Sequence, residues 1–164
     1  MNIPQEIVDM LGDMPFAYFC TVDRKGQPHI TPMFFHFDEE NDSIFLVTSA
    51  ASHKTSNIHE NPQVALTIDV RDPVNPFNNK GVLIQGVAEI KEPEEQGADA
   101  EVKKAYIGLV KKYPTFQVQS LYREEAKAHM TKQHLKEFNE VLIKVIPQKM
   151  VYWTKGPNFQ VVRF

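Results

Sequence analysis

Hydrophobic and polar positions change rhythm along this chain, and each rhythm predicts an element. Ile3, Ile7, Val8 and Leu11 recur at helical spacing. They predict a short amphipathic helix over residues 3–12, with Pro4 in its first turn and Gly12 as its stop. From Phe16 the period shortens. "FAYFCTVD" and "QPHITPMFFHF" flank "DRKG", which reads as a strand, a turn with glycine at its end, and a second strand. Pro28 and Pro32 carry no N–H, so the pairing of that second strand is expected to be interrupted, with a bulge or bend near Pro32. "SIFLVTS" predicts a third strand, its unbroken apolar run pointing to burial on both faces. "SAASHKTSNIHENP" then reads as a short helix. "QVALTIDV" is a fourth strand, "RDPVNPFNN" a proline-rich loop, and "KGVLIQGVAEIKE" a long fifth strand. Gly81 and Gly86 within the fifth strand mark a bulge or a close approach by another group.

Between about residues 94 and 138 the composition turns to Lys, Glu, Gln and Ala, with Tyr106, Ile107, Leu109 and Val110 at helical period. This helical insert is expected to be two helices parted at Pro114. The second runs roughly from Thr115 to Phe138, with Phe116, Val118, Leu121, Tyr122 and Leu135 as core candidates. "NEVLIKVIPQKMVYW" and "FQVVRF" close the chain as two strands around "TKGPN". Short connections favour antiparallel pairing. The fold class predicted is mainly β (α+β): a closed or nearly closed antiparallel barrel of six to seven strands with flanking helices, one domain over residues 1–164. A Rossmann fold is excluded, because there is no GxGxxG and the strands do not alternate regularly with helices.

Composition narrows the function classes. The 164 residues are 42% hydrophobic and 24% charged, with a net charge of -3, which points to neither nucleic acid nor a membrane surface as a partner. No apolar run approaches the roughly 20 residues of a membrane helix. The acidic, cation-free start "MNIPQEIVDML" does not read as a secretory signal, so the expected location is cytoplasmic. Cys20 is the single cysteine, which excludes an internal disulfide and any thiolate cluster. His129 and His134 are five apart, not at zinc-helix spacing, and no metal site is expected. No GxSxG or Cys–His constellation suggests a covalent hydrolase.

The informative stretch is the helix start after the third strand. Ser49 or Ser52 can cap it, and His53, Lys54 and Thr55 then fill its first turn. Cations at that end oppose the helix dipole by a few tenths to ~1 kcal/mol. A phosphate would reverse that sign, because backbone donors, hydroxyls and Lys54 would face one dianion. The alternative is a plain cap with a solvated lysine. His59 is expected on the exposed side of this helix.

The segment from "TVDRKGQPHITPMFFHF" to "VALTIDVRDP" resembles the pyridoxamine-phosphate-oxidase-like flavin-binding split barrels, including their general-stress and deazaflavin-dependent branches. The shared pattern is Gly26, Pro28 and Pro32 on one strand, an apolar strand ending in Thr48, Lys54 and Asn57 three apart, Asn61-Pro62 before "VALTI", then "VLIQGVAEI". It covers roughly residues 10–92. The resemblance implies a homodimer with FMN at the interface, the phosphate held by Thr48, Ser49, Ser52, His53 and Lys54. It implies Ile30, Thr31, Pro32 and Met33 along the ring, Gln85 approaching from the same sheet, and Trp153 contributed by the partner chain. Asn57 would stitch helix to strand.

This chain departs from true pyridoxamine phosphate oxidases. The arginine and lysine they carry on the strand written here "ITPMFFHF" are missing, and of their C-terminal basic motif only Arg163 remains. The function implied is an FMN-dependent oxidoreductase acting on an unspecified small molecule, with no catalytic acid or base assigned. The alternatives are a non-catalytic flavin-binding or redox-sensing protein, a deazaflavin-coenzyme-dependent reductase and, more remotely, a haem-handling protein. His29 and His36 are the titratable candidates near the ring; seven apart, they face opposite sides of a regular strand.

Overall fold

A computed structural model describes residues 3–91, 100–114, 139–156 and 158–164. The first helix, α1, spans Gln5–Asp13, and Ile7, Met10 and Leu11 on its inner face are buried. It runs one residue past Gly12, and Pro4 caps it instead of entering its first turn. The stop is set by Pro15, which holds Met14 in an extended conformation. The strands are β1 (Ala17–Val22), β2 (Pro28–Met33), β3 (Phe35–Asp38), β4 (Ser43–Ser49), β5 (Gln63–Val70), β6 (Lys80–Lys91), β7 (Glu140–Trp153) and β8 (Phe159–Arg163). Helix α2 (His53–Glu60) follows β4, and α3 (Ala100–Lys112) follows β6.

All strands belong to one antiparallel sheet ordered β2-β1-β5-β6-β7-β4-β3, with β8 on β7. The predicted second strand is β2 and β3 together, separated only at Phe34, so the predicted six to seven strands are the eight described. That single-residue break curls the sheet. β2 and β3 stand at opposite ends of the strand path, yet one residue links them, so the sheet must curl until its two edges meet. The expected interruption at Pro28 and Pro32 does not occur: Val22↔Pro28 and Tyr18↔Pro32 are in register. The Asp23 N–H donates to Gln27 O, and alternation along the ladder then places both prolines at non-hydrogen-bonded positions of an edge strand, where no donor is needed.

The other strand irregularity falls where glycine marks it. Pairing of β6 with β7 shifts between Gln85 and Gly86. A Cβ on Gly86 would lie 2.1 Å from Ile146 O, so only glycine fits this bulge.

One apolar cluster fills the barrel, built from Phe19, Phe35, Leu46, Leu66, Ile84 and Ile143 among others. Helices close its two ends. At the end where β6 begins, Ile7 and Leu11 of α1 enter the core and Glu6 reaches Lys80 at 3.6 Å. At the other end, Ile58 of α2 enters the core and the Ala88 N–H donates to Pro62 O. A second cluster lies outside the barrel, where α3 packs Val102, Ala105 and Leu109 on Phe45 and Leu142. β4 is thus buried on both faces, as its sequence predicts. Of the residues that set the helical period of the insert, Ile107 is exposed. The expected second helix of the insert, with its five core candidates, and His129 and His134 all lie outside the described residues. Among the described residues no helix is long and apolar enough to cross a membrane.

Candidate functional site

The chain leaves β4 at Ser49 and enters α2 at His53 through a turn built from hydroxyls. Ser52 is the cap: its Oγ accepts from the Thr55 backbone N–H at 3.3 Å. Thr48 Oγ1 lies 3.3 Å and Thr55 Oγ1 3.0 Å from the same oxygen. Thr55 in turn donates to Ser49 O at 2.9 Å, and Ser49 Oγ accepts from the Ala51 N–H at 3.1 Å. Side-chain hydroxyls therefore satisfy the local backbone and fix the turn. The helix is anchored below by Asn57, whose Nδ2 donates to Thr21 Oγ1 at 3.0 Å; both residues are buried. Asn57 stitches helix to strand, as the sequence suggested, and His59 is exposed.

Two features of this end are not satisfied internally. Lys54 is half-buried, and burial pushes its ammonium below the ordinary lysine value. No ion pair to it is present among the described residues, so its charge is uncompensated at the positive end of a helix. The second feature lies on β2, whose side chains alternate. Pro28, Ile30 and Pro32 are exposed, whereas His29, Thr31 and Met33 are partly buried. The His29 ring comes within 6.0 Å of the His53 ring, which brings this side of β2 against the start of α2. On this side of β2, His29 Nδ1 and Thr31 Oγ1 are buried and have no hydrogen-bond partner. Orphaned buried polar atoms on the strand that meets this helix start, together with the cation in its first turn, are groups a bound oxyanion could complete.

The predicted site residues divide accordingly. Thr48, Ser49, Ser52, His53, Lys54 and Thr31 belong to this end of the barrel, and His29 and Thr55 join them. Ile30, Pro32 and Gln85 lie on the other face of the sheet, in rows defined by the registers Ile30↔Cys20↔Ala65↔Gln85 and Pro32↔Tyr18↔Thr67. His36 pairs with Phe45 on the face beneath α3, so the two histidines do face opposite sides. Trp153 pairs with Gly81 at the start of β6. The α2 end of β6 lies seven residues away at Ala88, or about 23 Å along the strand.

Comparison with known proteins agrees with this architecture. A family profile described as "Pyridoxamine 5'-phosphate oxidase" matches residues 3–154. A curated relative from Streptomyces rimosus subsp. rimosus, a 5a,11a-dehydrotetracycline/5a,11a-dehydrooxytetracycline reductase, is 29% identical over 91 residues, which are 54% of this chain and 64% of that protein. The match thus spans less than two thirds of that reductase. Among solved structures, a heme binding protein from Mycobacterium smegmatis superposes with a TM-score of 0.69 at 14% identity, over 99% of this chain and 60% of that one. An "F420 Reductase" superposes with a TM-score of 0.58 at 23% identity, over 90% and 98%.

Proposed function

The chain belongs to the pyridoxamine 5'-phosphate oxidase family, and we propose that it is a flavin-dependent oxidoreductase that grips FMN by its phosphate at the start of α2. One observation carries this reading: Lys54, without an acid, sits in the first turn of α2, and His53 beside it meets β2 at His29, whose Nδ1, like Thr31 Oγ1 on the same side of that strand, is buried and unpartnered. The Ser52 cap and the hydroxyls of Thr48 and Thr55 hold the turn in the shape that aims the backbone donors outward. These residues fit a phosphate monoester in charge, donor type and burial. When bound, the flavin supplies hydride or electron transfer, and the protein supplies position and field.

The same reading includes a homodimer, and an uncovered face of the sheet supports it. Ile30 is 62%, Tyr18 49% and Val161 54% exposed, and no described helix lies over them, in contrast to the face that α3 covers. Apolar strands left open in this way are characteristic of an interface. A second copy seated there would carry its own Gln85 and Trp153 toward the ring of the first. The substrate is a small molecule other than a B6 phosphate, because β2 carries no lysine or arginine and β8 only Arg163. The reductase from Streptomyces rimosus supports reduction of an organic acceptor.

A second reading has its own support. The F420 reductase shares the fold, and a deazaflavin coenzyme also carries phosphate, so the same helix start would receive it. The ligand that co-purifies separates the readings. Flavin absorbance with the mass of FMN, and turnover with a reduced nicotinamide, would support the first. The mass of a deazaflavin would replace it with the second. A Soret band would place the protein with the haem binders, and a yellow protein without turnover on any donor would leave a flavin sensor.

A further inference from the structure

The C-terminal ends of α1 and α3 meet beside β3, and a lysine amine is held between them. Lys112, in the last turn of α3, is half-buried. Its Nζ donates to Leu11 O in the last turn of α1 at 2.9 Å and stands 3.6 Å from the centre of the Phe35 ring on β3. The Tyr113 ring is centred 5.5 Å from the same nitrogen. We propose that Lys112 is a reactive amine and a modification site, acylated on Nζ by small acyl phosphates.

The surroundings set this lysine apart from an ordinary surface cation. Phe35 and Tyr113 are both buried. The Tyr113 hydroxyl accepts from the Phe35 N–H at 3.2 Å and lies 2.9 Å from both Pro15 O and Phe35 O, so the two rings are fixed relative to each other. The amine therefore rests on a rigid aromatic floor. Among the described residues no carboxylate forms an ion pair with Lys112. By contrast Lys104, eight residues earlier on the same helix, is paired with Asp38 and Glu40, and Lys144 beneath the helix with Glu101. The Leu11 carbonyl and the Phe35 ring face both attract an ammonium, but neither carries the full charge that would neutralise it. Burial outweighs them and pushes the Lys112 ammonium down to about 8, against the pull of Asp13. At pH 7.5 about a quarter of such an amine is neutral, against about one part in a thousand for a lysine near 10.4.

Acyl transfer needs the nitrogen lone pair. One N–H of the neutral amine keeps the bond to Leu11 O, which orients the nitrogen and leaves the lone pair free to meet a carbonyl carbon. The N–C bond forms and the C–O bond to phosphate breaks, with the electron pair leaving on the phosphate. That phosphate takes up the proton the nitrogen releases. The product amide retains one N–H for Leu11 O. It loses the positive charge that faces the C-terminal end of α1, where a cation is favoured, so acylation weakens the contact between α1 and α3.

Acetyl phosphate would be added to the full-length protein at a series of pH values from about 6.5 to 10, with Nα-acetyl-lysine in the same tube as an ordinary amine. Early occupancy of Lys112 would be read by peptide mass spectrometry. At pH 7.5 Lys112 should react about tenfold faster than the free amine, or more. Its rate should level off above pH 8 to 9, while that of the free amine climbs to pH 10. Asp13→Asn, which removes the charge that pulls on the ammonium, should move the plateau to lower pH. In urea-unfolded protein Lys112 should react like the free amine. A Lys112 rate at pH 7.5 equal to or below that of the free amine would overturn the proposal. A rate that climbs to pH 10 with no plateau would overturn it as well. So would a fast rate that survives in urea, because the fold would then contribute nothing.

Discussion

At one end of the barrel Ser49, Ser52 and Thr55 turn the chain from β4 into α2; at the other, Asp72, Asn75 and Asn79 carry it from β5 into β6. Both turns use short polar side chains to satisfy their own backbone, with separations of 2.8–3.3 Å. They differ in what is left over. Around the first turn the unsatisfied groups are polar: Lys54, His29 Nδ1 and Thr31 Oγ1. Around the second they are apolar: the Phe77, Phe159 and Trp153 rings. Once the backbone requirement of each turn is met, the residue types that remain set what each end can contact. At the α2 end those groups suit an anion, and at the other they present an aromatic surface.

Substitutions should break the two ends separately. The largest effect is expected for Gly81→Val. Its Cβ would meet the Trp153 ring at 2.4 Å and Ile68 O at 2.9 Å, one of them backbone, so the indole must leave its seat. Overpacking of this kind should cost about 3 kcal/mol in denaturant unfolding and red-shift the tryptophan emission. Asn57→Ala acts at the other end. It leaves Thr21 Oγ1, fully buried, without its donor, and should cost about 2 kcal/mol. FMN affinity should fall with it while the tryptophan emission holds. Ser52→Ala removes the cap of α2, costing about 1 kcal/mol by the same unfolding assay, again with the aromatic end unaffected.

A smaller effect tests the wall that joins the ends. Burial holds His36 below its ordinary value of 6.5; Asp38 opposes this, and Lys112 and Lys104 add to it. The unfolded chain therefore binds a proton at a pH where the folded chain does not, so stability should decline as pH falls below about 6.5. His36→Gln should flatten that slope in urea unfolding measured across this range. His36 lies against Gly108 of α3, with the site of a Gly108 Cβ 2.2 Å from Nε2, so the tight contact leaves little room for a hydration shell around a charged ring.

Much of the fold was legible because its signals are periodic or steric. The apolar run of β4 predicts two buried faces, and it separates the core from the outer cluster as expected. Gly81 and Gly86 announced close approaches, and a Cβ added at either would lie 2.4 or 2.1 Å from its nearest neighbour. The bend was misplaced by two residues. Proline signals a missing donor, and an edge strand with the right alternation needs none; the actual break at Phe34 follows from closing the sheet, which no local pattern encodes. The hydroxyl-rich turn was legible from its composition, and Ser52 proved to be the capping residue. His29 and Thr31 were visible only as alternate positions of a strand, and their meeting with α2 depends on the curl that brings β2 there. Phe77 and Phe159 carried no sequence signal, because a proline-rich loop and a terminal strand meet only through the pairing of β6, β7 and β8.

The central claim is that the start of α2 binds a phosphate, and it is tested most directly by comparing two ligands that differ only in that group. FMN and riboflavin would each be titrated calorimetrically into the wild type and into Lys54→Ala. The account predicts that FMN binds the wild type tighter than riboflavin by about a hundredfold, and that Lys54→Ala removes ten- to a hundredfold of that advantage, about 1.5–3 kcal/mol for a charge-assisted contact, while riboflavin affinity is unchanged. Equal affinity of the wild type for FMN and riboflavin would contradict it.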